Sequence, residues 1–151
     1  MRIFIHSLII ILNNTKVNAK KNEPPCPCMS GLSYTTCCAT YHTGSSKPET
    51  AEQLMRSRYT AYHMALVDYL VNTTHPDKLR PNYRHQLEST KDDMDWSGLE
   101  IISTSMGTKL DKIGKVRFIA QYVMNTEKGS MEEHSRFRRY KGDWVYYDEK
   151  G

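Results

Sequence analysis

The sequence lacks a long hydrophobic run, an internal repeat and a tract of like charge. Its most apolar stretch, residues 1–12, is interrupted by His6 and Ser7, whereas a membrane-spanning helix needs about 20 apolar residues. We therefore expect no transmembrane span. The net charge of +4 is modest, and the basic residues form no tract, so nucleic acid is at best a weak candidate partner.

Cysteine is absent from the chain except within residues 26–38, which hold all four cysteines. They form two pairs, Cys26 with Cys28 and Cys37 with Cys38. A serine-glycine turn between the pairs lets them face each other, so that four thiolates can converge on one metal ion. Four thiolates are typical of a closed structural Zn²⁺ site, with iron as the second candidate. A segment this short has no hydrophobic core, so the metal would supply its folding energy.

Disulfides and free thiols are the alternatives to a metal site. A disulfide requires Cα atoms about 4.4–6.8 Å apart and correctly aimed side chains. A bond within either cysteine pair would therefore be strained, whereas crossed disulfides between the pairs stay open. The spacing favours the metal site over both alternatives.

A second feature of this segment is its match to a known motif. Cys26-Pro27-Cys28, Ser30-Gly31, Tyr34 and Cys37-Cys38 together resemble the SEC-C motif, the small zinc-binding tail of the SecA translocation ATPase and of several unrelated bacterial proteins. The resemblance implies that all four cysteines are metal ligands. The chain departs from the motif at Met29, where glycine is usual. Glycine there would suit a position with φ > 0, which other residues tolerate poorly.

The segment before the cysteines, residues 1–25, reads as a hydrophobic start followed by a basic linker, which we expect to be poorly ordered. Residues 1–19 also have the outline of a secretory signal peptide. An extra strand and a translated leader upstream of the natural start are the other interpretations. Because oxidising compartments favour disulfides over clustered thiolates, we expect a cytoplasmic protein, with export as the alternative if residues 1–19 act as a signal.

Helices are expected in the first half of the remaining chain. Thr50 and Gln53 form a capping box, and apolar residues then recur every three to four positions, which predicts an amphipathic helix. A short helix over residues 69–73, capped by Asp68, and another over residues 81–89 follow.

Strands are expected in the second half, where the apolar period changes to two. They cover residues 96–106, 116–124, 131–140 and 144–148. Helices followed by antiparallel strands predict an α+β fold, with the helices packed on one face of a curved antiparallel sheet.

Four different motifs follow one another along this region: Leu54-Met-Arg-Ser-Arg-Tyr59, His75-Pro76, Glu133 with Ser135-Arg136-Phe137, and Trp144 with Tyr146-Tyr147. In this order they resemble the YchJ-like family of small bacterial SEC-C motif proteins. The resemblance implies a metal-binding knuckle over residues 26–42 and a nuclear transport factor 2-like (cystatin-like) domain over residues 48–151, a cone of helices wrapped by a bent sheet. It implies no established activity.

A cone of this kind often encloses a pocket, and we predict its lining from the polar and aromatic residues of the motifs. The candidates are Arg56, Arg58, Tyr59, His75, Trp96, Glu133 and Trp144. His75 and Glu133 are a weak candidate acid–base pair, since imidazole titrates near neutrality. The structural alternative is an internal ion pair in which Arg56 or Arg58 neutralises Glu133.

These observations favour a non-enzymatic binding protein. A closed site of four cysteines leaves no coordination position for substrate chemistry, so we expect the knuckle to dock onto a protein or ribosomal partner while the cone domain holds a small-molecule ligand or a peptide. The alternative is a small-molecule enzyme of the hydrolase or isomerase type that uses His75 and Glu133. Enzymatic activity thus stays an open question at this level, with binding preferred.

Overall fold

The computed structural model describes residues 23–151, so the signal-like outline of the first residues and most of the expected linker lie outside the described part. The architecture is α+β, as expected. Four α-helices precede a four-stranded antiparallel sheet. The helices are α1 (Cys38–His42), α2 (Ala51–His63), α3 (Val67–Asn72) and α4 (Tyr83–Thr90), and the strands are β1 (Asp95–Met106), β2 (Ile113–Met124), β3 (Glu127–Tyr140) and β4 (Asp143–Asp148).

The central helix α2 begins at the predicted capping box. The Thr50 side chain accepts a hydrogen bond from the Gln53 backbone N–H at 3.1 Å. The Gln53 side chain in turn accepts from the backbone N–H of Glu49 at 2.8 Å, one residue before the N-cap. The first bond satisfies a donor that a helix start leaves free, and the second fixes the residue that precedes the N-cap. The capping box is therefore confirmed, with its second bond displaced by one residue.

The two shorter helices differ from expectation at their starts. Helix α3 begins at Val67, and Asp68 lies inside its first turn rather than capping it. The carboxylate of Asp68 instead forms an ion pair with Arg84 of α4. Helix α4 begins at Tyr83, after Pro81 rather than on it. In residues 23–151 no helix has the length and apolar character needed to cross a bilayer.

The sheet runs in sequence order, β1-β2-β3-β4, with every neighbouring pair antiparallel. On β2 the predicted alternation is confirmed, because Val116, Phe118 and Ala120 are all buried. The tight turn between β3 and β4 places Lys141 and Gly142 at φ values of 50° and 87°. Two successive positive φ values are the backbone of a type I′ hairpin turn, which joins β3 to its antiparallel neighbour β4.

The start of α2 packs directly on the β1–β2 hairpin. The Ala51 backbone N–H donates to the carbonyl of Gly107 at 2.9 Å. A Cβ atom added to Gly114 would lie 2.5 Å from the Gly107 Cα and 3.0 Å from the Ala51 Cβ. The helix can approach the sheet this closely only because both hairpin residues are glycine.

The knuckle shares the hydrophobic core of the rest of the chain. Cys26, Cys28 and Cys38 are buried and belong to the same packed cluster as residues of α2 and of the sheet. Just after the knuckle, the Ser46 backbone N–H donates to the carbonyl of Thr40 at 3.0 Å. The knuckle therefore packs directly against the cone through this shared core.

Candidate functional site

The four cysteines converge from two short segments. Cys26 and Cys28 lie in the loop before the first turn, whereas Cys37 and Cys38 lie at the start of α1. All four sulfur atoms lie within 4.8 Å of one another. This convergence from both sides of the serine-glycine turn is the arrangement that the spacing predicted.

The sulfur spacing fits a metal site better than disulfides. Cys37 Sγ lies 3.6 Å from Cys28 Sγ and 3.9 Å from Cys38 Sγ. A disulfide bond is only about 2.05 Å long, and all four cysteines are free in the structure. Tetrahedral Zn–S bonds of about 2.3 Å place neighbouring sulfurs about 3.8 Å apart. The donor set and its spacing could therefore hold a metal ion.

Electrostatics within the cluster also favour a bound cation. A hydrogen bond from the Cys38 thiol lowers the pKa of Cys28 to about 4. The same bond and burial raise the pKa of Cys38, and burial raises the pKa of Cys37 to about 11. Four thiolates this close repel one another, so only a cation can hold them all ionised.

Met29 has the positive φ value that the usual glycine of the motif suggested for this position. The residue has φ of 63°, in the left-handed region, and its backbone N–H donates to the carbonyl of Cys26 at 3.2 Å. Met29 thus occupies a conformation that glycine adopts at lower cost.

Two residues fasten the knuckle to α2, and one of them, Arg56, was predicted to line the pocket. The Arg56 guanidinium donates to the carbonyl of Cys28 at 2.7 Å and pairs with Glu52 at 3.1 Å. His42 bridges Ser57, whose carbonyl lies 2.8 Å from Nε2, and Tyr34, whose hydroxyl lies 2.9 Å from Nδ1. Since a carbonyl only accepts, Nε2 carries the proton and Nδ1 accepts from Tyr34. Sequence reasoning missed His42, which no motif marked.

A cavity of about 630 Å³ lies between the helices and the concave face of the sheet. Its apolar wall includes Tyr59 and Trp96 together with Phe118, Met131 and Phe137. Its polar lining includes Arg58, Tyr62, Tyr83, Glu133 and Ser135. The volume is within the usual range of about 300–1,000 Å³ for small-molecule sites.

The structure places four of the seven predicted pocket residues in this lining: Arg58, Tyr59, Trp96 and Glu133. Arg56, His75 and Trp144 are not among the described lining residues. Trp144 is buried in the core, where its indole Nε1 donates to the carbonyl of Glu49 at 3.0 Å.

His75 lies outside the cavity lining, at the start of a 3₁₀ turn. Its Nδ1 accepts a hydrogen bond from the Asp77 backbone N–H at 3.1 Å. Its ring packs edge-on against Tyr140 and Tyr147, with 5.3 Å between centroids in each case. Glu133 faces the cavity instead, so the structure does not bring the two residues together there.

Arg58 is 5% exposed and holds the C-terminal end of α3 in place. Its Nη1 donates to the carbonyl of Leu70 at 3.0 Å and to the hydroxyls of Thr73 at 2.8 Å and Thr74 at 3.2 Å. The guanidinium carbon lies 4.8 Å from the centroid of the Tyr146 ring, a cation–π contact.

Glu133 receives two hydroxyl hydrogen bonds at the same carboxylate oxygen. Ser135, on the same face of β3, donates to Oε1 at 2.6 Å, and Tyr146 donates to it at 3.2 Å. Neither Arg56 nor Arg58 lies within ion-pair distance of Glu133. The ion pair expected as the structural alternative is absent, and Arg58 and Glu133 each contact Tyr146 instead.

Two tyrosines of the polar wall were missed as site residues. Burial raises the pKa of Tyr62 to about 12. Burial by itself would raise the pKa of Tyr83. The positive charge of Arg58 and the hydroxyls of Tyr62 and Thr74 lower it by more, so the pKa of Tyr83 lies below its usual value. The high tyrosine content, ten against three phenylalanines, was the available signal, although it does not say which hydroxyls converge.

Comparison with known sequences identifies relatives along most of the chain. Residues 50–149 match the family model described as YchJ, middle NTF2-like domain. A UPF0225 protein of Streptomyces coelicolor is 44% identical over 125 residues, covering 83% of this chain and 94% of that protein. A UPF0225 protein of Pectobacterium carotovorum is 42% identical over 126 residues, covering 82% and 81%.

Two solved structures have the same fold. A SEC-C motif containing protein from Rhodopseudomonas palustris superposes with a TM-score of 0.72 at 29% identity, covering 82% of this chain and 94% of that one. A SEC-C motif containing protein from Psychrobacter arcticus gives a TM-score of 0.69 at 28% identity, covering 85% and 82%. Both likenesses extend over most of either chain.

Proposed function

The chain belongs to the YchJ-like family of SEC-C motif proteins with an NTF2-like domain, and from this premise we propose that it is a binding protein whose cone cavity takes a small molecule. The cavity of about 630 Å³ is the observation that supports this proposal. An apolar wall with a few converging polar groups is the usual composition of a ligand site.

The knuckle has a structural role in this proposal. Its four cysteines would hold Zn²⁺, since four thiolates in a tetrahedral arrangement suit zinc first and iron second. The metal would supply charge compensation and folding energy rather than substrate chemistry, because four protein ligands fill its coordination shell. Arg56 and His42 would then transmit the rigidity of the knuckle to α2, which carries Arg58 into the cavity.

Calorimetric titration of the full chain with a small neutral aromatic, indole, tests the cavity proposal. We expect saturable one-to-one binding that Ala120→Leu weakens several-fold, since Ala120 lines the cavity and the larger side chain fills it. Gln121→Leu is the matched control, because it places the same side chain on the exposed opposite face of β2. Absence of binding, or equal binding by the two variants, would contradict the proposal.

The enzyme alternative rests on His75 and Glu133, and the placement of His75 gives it little support. A catalytic acid or base must reach the substrate directly or through one water. Glu133 meets this requirement in the cavity lining, whereas His75 is held against Tyr140 and Tyr147. We therefore propose binding rather than hydrolase or isomerase chemistry.

Docking of the knuckle onto a protein or ribosomal partner is a second candidate role. It is supported by two apolar side chains at the tip of the knuckle, Met29 and Leu32, which are 57% and 54% exposed. Cosedimentation with purified bacterial ribosomes tests it. Binding by the wild type that Met29→Ser with Leu32→Ser abolishes at unchanged metal content would support docking, and no cosedimentation of the wild type would oppose a ribosomal partner.

A further inference from the structure

The guanidinium of Arg58 offers unused donors to the cavity. Its hydrogen bonds within 3.5 Å to described residues all leave from Nη1. Across residues 23–151, no buried side-chain nitrogen or oxygen lacks a hydrogen-bond partner. The Nη2 and Nε donors are therefore not sealed within the protein, and since Arg58 is 5% exposed and lines the cavity, they are reached from inside it.

Arg58 also lacks an acidic partner. None of the ion pairs in the described part of the chain involves it. A nearly buried cation without a counter-ion is costly unless something compensates its charge. The carbonyl and hydroxyl oxygens at Nη1 compensate it only in part, so the remaining edge of the guanidinium is a prepared site for an anion.

The surroundings of Arg58 add a second donor and limit the charge of the ligand. Tyr83 lines the same cavity as Arg58, and its hydroxyl can donate to the same anion. Glu133, which shares the neighbour Tyr146 with Arg58, already accepts from Ser135 and Tyr146. Among the residues lining the cavity, four are basic and four are acidic. A neutral lining with one carboxylate close to the arginine disfavours a dianion such as a phosphate monoester.

We propose that the cavity binds a monocarboxylate with an apolar body. The carboxylate accepts from Nη2 and Nε of Arg58 and from the Tyr83 hydroxyl, and the body packs against Trp96, Phe118 and Met131. Planar bidentate pairing with carboxylates is the geometry for which a guanidinium is suited. This inference rests on the proposed binding function and specifies its ligand class.

Three probes of similar size test the inference by calorimetric titration of the full chain at pH 7: 3-phenylpropionate, its neutral amide and the cation 2-phenylethylamine. We expect the carboxylate to bind at least about tenfold more tightly than the amide, which corresponds to about 1.4 kcal/mol. We expect the amine to bind more weakly than the amide, because Arg58 repels it.

Two variants that leave Arg58 in place locate the carboxylate. Tyr83→Phe removes one donor and should weaken 3-phenylpropionate binding several-fold and amide binding by a smaller factor, because a carboxylate is the stronger acceptor. Glu133→Gln removes the neighbouring negative charge and should tighten 3-phenylpropionate binding. Unchanged thermal unfolding of each variant controls for folding.

The outcomes separate this inference from the function on which it rests. Equal affinities for carboxylate and amide would overturn the monocarboxylate inference and leave small-molecule binding intact. If the amine binds more tightly than the amide, Glu133 rather than Arg58 contacts the polar end of the ligand, and the inference is likewise overturned. If none of the three probes binds, and indole also fails, the cavity proposal itself is wrong.

Discussion

Met29 is the clearest case of one residue at odds with its backbone. At φ of 63° a non-glycine residue carries about 1–2 kcal/mol of backbone strain. Replacing it with glycine removes this strain but loses part of the gain, because glycine gives up more conformational entropy on folding. Met29→Gly should therefore stabilise the metal-loaded protein by about 0.5–1 kcal/mol in urea unfolding. Met29→Ala removes the same exposed thioether but keeps a Cβ, so it should give no gain. Equal gains from both variants would attribute the effect to the side chain instead.

Asp148 is the residue whose charge matters most for acid stability. It accepts from Arg136 at 2.6 and 2.5 Å, and Lys78 lies 3.5 Å away. The hydrogen bonds from Arg136 hold its pKa well below the usual value. A carboxylate with a lowered folded-state pKa stabilises the fold above its unfolded pKa of about 3.9, and this stabilisation is lost as the pH falls toward the folded value.

Asp148→Asn should lower the melting temperature at pH 7, and the difference from the wild type should narrow below about pH 4. Thermal unfolding followed by circular dichroism between pH 7 and pH 2.5 measures this. Asp143→Asn is the control, because its ion pair with Lys47 is exposed and such pairs contribute little. A pH-independent difference for Asp148→Asn would show that its role is not electrostatic.

At the level of elements, the contact between α2 and the β1–β2 hairpin depends on two glycines. A Cβ on Gly114 would meet the backbone of Gly107 at 2.5 Å, and backbone cannot yield as a side chain does. Gly114→Ala should destabilise the fold by about 1–3 kcal/mol. Gly98→Ala, also on the sheet, would meet only the Gln121 side chain at 2.9 Å and should be near neutral. Urea unfolding of both variants measures the difference, and equal losses would contradict a specific role for the contact.

The elements themselves were largely predictable, because local periodicity and capping decide them. The strand alternation at Val116, Phe118 and Ala120 and the capping box at Thr50 are both found in the structure. The starts of α3 and α4 were not, since Asp68 interacts with Arg84 sixteen residues away rather than with its own helix. Capping motifs report local preferences only, so they do not show which distant side chain a residue such as Asp68 will contact.

At the level of the whole molecule, the knuckle and the cone form one packed unit. Cys26, Cys28 and Cys38 contribute to the common core, and Arg56 and His42 bond across the junction. If the cysteines hold a structural metal, removing it should lower the melting temperature of the entire chain by about 10 °C in one cooperative transition. For a chain of this size, the melting temperature falls by about 2–4 °C for each kcal/mol of unfolding free energy that is lost.

Calorimetry of the protein before and after chelation, with metal analysis and thiol counting on the same samples, measures this effect. Restored melting on addition of one equivalent of Zn²⁺ is the control for reversibility. An unchanged melting temperature after loss of metal, or four thiols already oxidised in the purified protein, would contradict a structural metal site.

The cavity was only partly predictable because its polar wall assembles from distant segments. Arg58 and Glu133 were identified from motifs, whereas Tyr83 lies on a helix whose sequence shows no site pattern. Arg56, two positions before Arg58, points to the knuckle instead. Neighbouring residues on a helix face different directions, so the motif alone did not show which arginine reaches the cavity.

The most direct test of the account uses the two tryptophans of the chain. Trp96 lines the cavity, whereas Trp144 is buried with its indole N–H bonded to Glu49. In the ¹⁵N-labelled protein, with the indole signals assigned through Trp96→Phe, titration with 3-phenylpropionate should shift the Trp96 signal saturably and leave the Trp144 signal nearly fixed. No saturable shift at Trp96 with either 3-phenylpropionate or indole, or an equal shift at Trp144, would contradict a ligand site in the cone.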